Sequence, residues 1–597
     1  MFGPTRKGLV VVLAAAAASV VPLVSARAQD RPLPEPNFAA PVLPARGCTP
    51  QAGNPYETEV YRQEGWAAPA FARYPGACQR LKFAFGPIVV KPGQNDVLVQ
   101  PITVEKPSQN GYITRFRPDL VRADGTVPPI EQVHLHHGTW LSEPSYGSGP
   151  FFASGEEKTI APFPRGYGLP VKATDQWQML YMVHSAVAQP DVVYITYEVD
   201  FIPQAAGQRL GIKPAYPVWL DVRPSGYPVF NTERSFGNGK ACTWPKQLCA
   251  TLDPWGQKIV GQGMPGNGRG EDWAFPQKGG SFGGVSNFTG GTLIGIGGHL
   301  HPGGLTNDID LVRKGKATRI YTGVAHYWNR QDPTRTGGPP TSWDFSMGVT
   351  GLPRWGIQIK PGDILRSNAT YDTRIQSTYE NMGISVALFA PNDAKGHATA
   401  KGLDPFKARR DTSFECQSGF SKAKRVGLVR GELCDKGIPT HGHLPEAGNF
   451  GGARGTLPAK TGAAVDEVAI AGFTYLQGDF ATLASTGIPT VKMGQELRFI
   501  NLDAGADVYH TITSCGFPCT GPTGTSFPLA NGSSSLGKQF DWDSAELGVG
   551  PPFIGPAKNE IDWSLPVTPE NGFQPGAIVT YYCRIHPFMR GAVQVQK

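Results

Sequence analysis

The sequence predicts an all-β protein made of β-sandwich domains, and three observations carry that prediction. Short alternating runs recur along the chain, among them FAFGPIVV (83–90), DVVYITYEVDF (191–201), GTLIGIGGHLH (291–301), ISVALFA (384–390) and ELRFINL (496–502). Each is bounded by Gly, Pro, Asn or Asp, as strands ending in turns are. Gly 75 and Pro 55 make up about 22% of the 597 residues while charged residues are only 17%, a turn-rich composition unlike that of a helical bundle. No amphipathic helical window competes with the strands, and no short-period repeat interrupts them. A hydrophobic fraction of 40% with 10% aromatics is enough to bury real cores, which excludes disorder throughout, and the length suits three or four domains.

The elements follow in order. Residues 1–28 place Arg6 and Lys7 before an apolar run and end in Ala26-Arg27-Ala28, the pattern of a secretory leader with its cleavage site. Its removal takes away three basic residues and no acidic one, so the net charge falls from +7 to +4, too mild to indicate nucleic acid as a partner. A leader kept as a membrane anchor is the alternative; no later stretch is long and apolar enough to span a bilayer. The expected location is secreted or periplasmic. After a Pro-rich lead-in (29–47), one sandwich is expected over 48–210 and a second over 211–392. A Gly-, Lys- and Arg-rich linker (393–459) then leads to a last domain (460–597). Eight of nine cysteines fall into sequence neighbours (Cys48/Cys78, Cys242/Cys249, Cys416/Cys434, Cys515/Cys519), candidates for disulfides in an exported chain. Cys583 is left over, a thiol with some use other than bridging.

That use is legible at the C-terminus, IVTYYCRIHPFMRGAVQVQK, where a β run delivers Cys583, a tight loop follows, and a second β run leaves after Met589. His586 and Met589 stand three and six residues after the cysteine, and His510, in DVYHTITSC, is the natural second imidazole. Thiolate, two imidazoles and a weak thioether are the donors of a blue-copper electron-transfer site. CRIHPFMRG resembles the copper loop of the cupredoxins, closest in spacing to amicyanin. The resemblance covers about residues 460–597 and implies a β-sandwich passing single electrons through the exposed edge of His586. Multicopper oxidases and copper nitrite reductases carry a His directly before the copper cysteine; Tyr582 stands there instead, and the His-Cys-His element of those families is absent. This counts against an oxidase of a small reductant.

Of only 12 histidines, five fall in two clusters: His134, His136 and His137 in QVHLHHGTWL, and His299 and His301 in IGGHLHPGG. On a strand, residues i and i+2 share a face, so His299 and His301 can chelate one metal. Adjacent His136 and His137 can do so only at a bulge or a strand end. His184 sits in an apolar strand, WQMLYMVHSAVA, where an unpartnered imidazole is costly. Met382 opens another, NMGISVALFA. Imidazoles suit copper, and a thioether favours its reduced form.

Together, HLHHG, LYMVHSA, GGHLHPG and KPGDILRSNATYDT followed by ENMGISVALF resemble, in order and spacing, the copper type II, ascorbate-dependent monooxygenases. Peptidylglycine α-hydroxylating monooxygenase and dopamine β-monooxygenase belong to that family. The resemblance covers about residues 50–392 and implies two jelly-roll-like sandwiches facing each other across a solvent-filled cleft. It implies an electron-storing copper on His136, His137 and His184, and a catalytic, oxygen-binding copper on His299, His301 and Met382. Three mononuclear coppers are therefore expected, with O2 and a small organic substrate. An external donor, ascorbate or a redox protein, would supply electrons through the last domain. The family's peptide-hydroxylating members carry Arg, Asn and Tyr where this chain has Gly297, Ile384 and Val386, which argues against a peptidylglycine substrate and for a less charged one. His134 shares a face with His136 and is a candidate to support it. His326 and Met347 read as packing residues, His397 as a surface residue, and His441 and His443 as a chelating pair within the linker. The non-catalytic alternative is an exported copper carrier that only exchanges electrons.

Overall fold

The computed structural model describes Cys48 and, with breaks, residues 73–222, 230–265, 272–407 and 457–597. The breaks include 95–100, 129–132, 144–149, 156–160, 186–188, 233–250, 301–303, 328–342, 372–377, 482–486, 518–541, 551–559 and 584–585. The fold is all-β as the sequence predicts. Its one α-helix among the described residues, Gln204–Leu210, spans seven residues and stops at Gly211, which takes the left-handed conformation (φ 69°) that glycine adopts without steric cost.

The alternating runs pair into three sandwiches. In the first, a sheet ordered Gln79–Val90, Asp191–Pro203, Gly111–Arg122, Tyr167–Val171 and Lys213–Pro214 faces a sheet ordered Ile102–Val104, Gln176–Ser185, Val133–Glu143 and Pro150–Gly155. Phe116, Trp140, Phe152, Trp177 and Tyr197 fill the space between them, with Phe116 and Tyr197 stacked at 5.8 Å. The second sandwich sets Tyr216–Asp221, Gly383–Pro391, Gly291–Leu300 and Val349–Gly351 against Asp272–Ala274, Ile364–Tyr371, Gly304–Arg313, Lys316–Tyr327 and Trp343–Met347. Its core gathers Phe275, Phe288, Trp355 and Phe389. Ile294, Ala390 and Ala400 join the core of the first sandwich, so the two share packed apolar surface. The chain stays on the second sandwich after residue 392: Asp404 accepts from Arg313 at 2.7 Å and from Lys360 at 2.8 Å.

The third sandwich orders Thr461–Ala464, Ile488–Val491, Arg590–Val595, Ile578–Tyr582 and Thr513–Cys515 over Thr474–Tyr475, Glu467–Ala471, Glu496–Asn501 and Asp562–Pro566. Phe499, Trp542, Tyr581 and Val593 build its core around Cys583. Cys48 and Cys78 form the expected disulfide, with Cα atoms 5.7 Å apart, and Cys515 is also disulfide-bonded. Cys583 is the free cysteine among the described residues. Cys242, Cys249, Cys416, Cys434 and Cys519, like the leader, lie outside them. Among the described residues no helix is long and apolar enough to cross a membrane.

Candidate metal centres

The strand Ile578–Tyr582 carries Cys583 to the rim of the third sandwich, where the backbone closes the following loop on itself. The Cys583 N–H donates to the Met589 carbonyl at 3.2 Å and the Met589 N–H to the His586 carbonyl at 2.9 Å, while Tyr582 pairs with Arg590 in the ladder below. His510 is brought opposite by two backbone hydrogen bonds exchanged with Leu547. Cys583 Sγ lies 3.8 Å from both His510 Nδ1 and His586 Nδ1, and the two nitrogens are 3.1 Å apart. One metal ion bound at roughly 2.0–2.3 Å from each donor spans such separations. All three side chains are fully buried, and Met589 is buried in the same core.

The surroundings prepare these donors for a metal. A carboxylate can only accept, so the 3.0 Å contact between His510 Nε2 and Asp503 Oδ2 puts the imidazole proton on Nε2 and leaves the Nδ1 lone pair facing the sulfur. Asp503 is itself held by the N–H groups of Gly472 (2.7 Å) and Phe473 (3.0 Å). Burial alone would raise the carboxyl's pKa, but these bonds and His510 hold it below its ordinary value. Cys583 Sγ accepts from the N–H groups of Thr511 (3.3 Å) and His586 (3.4 Å). Burial would push this thiol up; hydrogen bonding and charge from His510 and His586 outweigh it and hold Cys583 well below the usual thiol range. A thiolate, two Nδ1 donors and a nearby thioether form the donor set of a type 1 copper centre.

One expectation is corrected here. The edge of His586 is not exposed: the residue has 0% of its surface accessible. Phe473 and Phe588 flank it at 5.2 and 6.0 Å, and the ring of His184, from the first sandwich, meets it at 6.2 Å and 65°. Phe473 and Phe588 belong to the same sandwich as His586, whereas the contact with His184 comes from another domain of the chain, which the loop by itself does not reveal.

His184 belongs to the second histidine group. Val133–Glu143 pairs with Gln176–Ser185, and the register runs His134 opposite His184, Leu135 opposite Val183, then His137 opposite Met182. His136 is the extra residue of a β-bulge. Because Met182 and His184 share a face, the bulge turns His137 onto the face that His134 and His184 occupy. The four imidazoles are buried. Ring centres are 5.1 Å apart for His136 and His137, 6.0 Å for His136 and His184, and 4.9 Å for His134 and His184. His134 Nε2 and His184 Nδ1 are 3.2 Å apart. The group is looser than the C-terminal one: among the described residues, no three of His134, His136, His137 and His184 have donor atoms all within 4.8 Å of one another, as those of His510, Cys583 and His586 are. Burial, with the nearby charges of His136 and His299, holds the His137 pKa well below its ordinary value, so this imidazole stays neutral. His137 is buried, and His299 is among the charges that lower its pKa.

His299 stands at the end of Gly291–Leu300, half-buried, opposite Ile384; Leu300 pairs with Gly383. Met382, the residue before Gly383, is buried beside Ile384 and Trp219. The Ile384 carbonyl accepts from Asn307 Nδ2 at 3.1 Å, and Asn307 Oδ1 accepts from Ser385 at 2.7 Å, which pins this end of the strand. The ladder thus carries Met382 to the strand end where the His-x-His element emerges. His301 lies outside the described residues, as do His441 and His443 and the side chains of His326 and Met347. His397 is on the surface as expected, 3.2 Å from Asp393. Asp503, Thr511 and the Trp219 wall escaped the sequence reading. Cys48, Cys78 and Asp200 also converge, but the disulfide leaves no thiolate to offer a metal.

No protein-family model matches the chain, and no curated protein matches it. Among solved structures, a tryptophan-to-tyrosine mutant of amicyanin in its reduced state is 20% identical over 24% of this chain and 100% of its own, with a TM-score of 0.13. A proline-to-alanine mutant of amicyanin in its oxidised state is 19% identical over the same shares, also at 0.13. A purple cupredoxin from Nitrosopumilus maritimus is 17% identical over 22% of this chain and 100% of its own, at 0.12.

Proposed function

We propose that the chain is an exported copper-dependent monooxygenase that hydroxylates a C–H bond of a small organic substrate with O2. The C-terminal sandwich is its built-in one-electron relay. The observation that carries this reading is the burial of His586 against His184, which joins a type 1 donor set to the histidine group of the first sandwich. An electron-transfer loop docked on that group within one chain has an internal acceptor.

Copper, when bound at these sites, supplies one-electron redox chemistry and the activation of dioxygen. The chain's residues do the rest. Asp503 fixes the tautomer of His510, and the N–H groups of Thr511 and His586 hold the Cys583 thiolate. The buried imidazoles grouped around His184 and His136 offer lone pairs to a metal. Met382 offers a thioether, and Ile384 and Trp219 beside it make an apolar wall suited to a substrate without a carboxylate at that place. Electrons come from ascorbate or a redox protein outside the chain.

The test uses the copper-replete full-length protein with O2, a donor and a panel of small apolar substrates. Met382→Ala is expected to abolish the oxygenated product while the intense blue absorption of the C-terminal site persists. Full hydroxylation by that variant would contradict the reading. O2 consumption without product in every variant would point instead to a non-catalytic copper carrier.

A further inference from the structure

The resemblance to known monooxygenases implies three imidazoles on the copper of the first sandwich, His136, His137 and His184. The structure brings a fourth into the same group, in direct contact with one of them. His134 lies opposite His184 in the ladder, so both side chains leave the same face of the sheet as a cross-strand pair. Both are buried, and their rings meet edge to face at 88°. Their facing nitrogens are 3.2 Å apart, against 3.1 Å for the two Nδ1 atoms of the C-terminal site. That is the spacing of two ligands sharing one metal.

The ring of His136 completes a triangle with sides of 4.9, 5.9 and 6.0 Å. The point equidistant from the three ring centres lies about 3.3 Å from each. This is close to a metal–nitrogen bond of roughly 2.1 Å plus the roughly 1.2 Å between a ring nitrogen and its centre. His134 and His184 already present nitrogens at ligating separation; the donor of His136 does not stand within 4.8 Å of both, so its ring has to turn about its side-chain torsions to join them.

We infer that His134 is a metal ligand: the copper of the first sandwich is held by the His134–His184 pair with His136, one ring contact behind His586. This assignment rests on the proposed copper chemistry of the first sandwich, and it leaves His137 outside that copper's ligand set. An imidazole that only supported His184 through a hydrogen bond would modulate the site without entering the coordination sphere, so the experiment has to count ligands.

The experiment compares full-length wild type with His134→Gln, which keeps hydrogen-bonding capacity but has no imidazole. Copper is counted per chain, and imidazoles on the non-blue Cu(II) signal are counted by pulsed electron paramagnetic resonance. The expected result is wild-type blue absorption, a non-blue signal with altered hyperfine coupling and one imidazole fewer, and a loss of first-sandwich copper under chelator competition of 100-fold or more. Unchanged hyperfine coupling and imidazole number in His134→Gln would overturn the assignment while sparing the proposed function. A wild type holding only the blue copper would overturn both. Should the variant lose its blue band through misfolding, metal-catalysed oxidation of copper-loaded wild type decides. Mass spectrometry is expected to find 2-oxo-histidine at His134 as well as His184, and oxidation at His184 alone overturns the assignment.

Discussion

At the scale of single residues, Asp503 shows how little of a metal centre consists of its ligands. It touches no thiolate and holds no lone pair toward the site, yet it decides which nitrogen of His510 carries the proton. Asp503→Ala is therefore expected to weaken copper binding at the blue site by about 10–100-fold. The blue band should still form at saturating metal. Titration against a competing chelator, followed by that band, measures the change; wild-type affinity would contradict the role. Cys583, His586 and Met589 were legible in the sequence because their spacing is local and one loop enforces it. His510 was legible as the histidine in a β run just before the end domain's other cysteines. Asp503 was not, since it reaches His510 through a 3-10 turn that no periodicity marks. Nor was the contact of His184 with His586, because a contact between domains leaves no trace in the spacing of either.

At the scale of elements, the Val133–Glu143 strand gathers its imidazoles by a bulge, and the sequence could state only the condition: two adjacent histidines share a face if the alternation breaks. The register break between Leu135 and His137 meets it. The opposite sheet is tied by charge. Arg115, fully buried on Gly111–Arg122, donates to Glu198 at 2.8 Å, and Arg80 donates to Asp200 at 2.8 Å, so three strands share one ion network. Burial would raise the Glu198 carboxyl, but Arg115, Arg80 and Arg117 bring it down to about 2. A depressed folded pKa means that the stabilisation is full above the ordinary value of 4.5 and fades as pH falls toward about 2. Glu198→Gln is expected to cost the first sandwich about 3 kcal/mol at neutral pH, with the deficit shrinking below pH 4.5. Urea unfolding followed by the fluorescence of Trp140 and Trp177 reports it. A deficit independent of pH would show that packing, not charge, was lost.

At the scale of the whole molecule, the all-β class was readable because turn residues punctuate the strands. How the sandwiches meet was not, because each interface is built from residues distant in sequence. Ile294, Ala390 and Ala400 join the first core from the second sandwich, and His184 meets His586 from the first. The arrangement sets the type 1 donors against the bulge histidines through the contact of His184 with His586. Such an arrangement has a use only if metal sits along it. The most direct measurement is the copper content of the purified, fully metallated full-length chain, read together with its electron paramagnetic resonance spectrum. Three coppers per chain, one blue and two non-blue, are expected. Saturation at a single blue copper, with no non-blue signal at any metal concentration, would contradict the account.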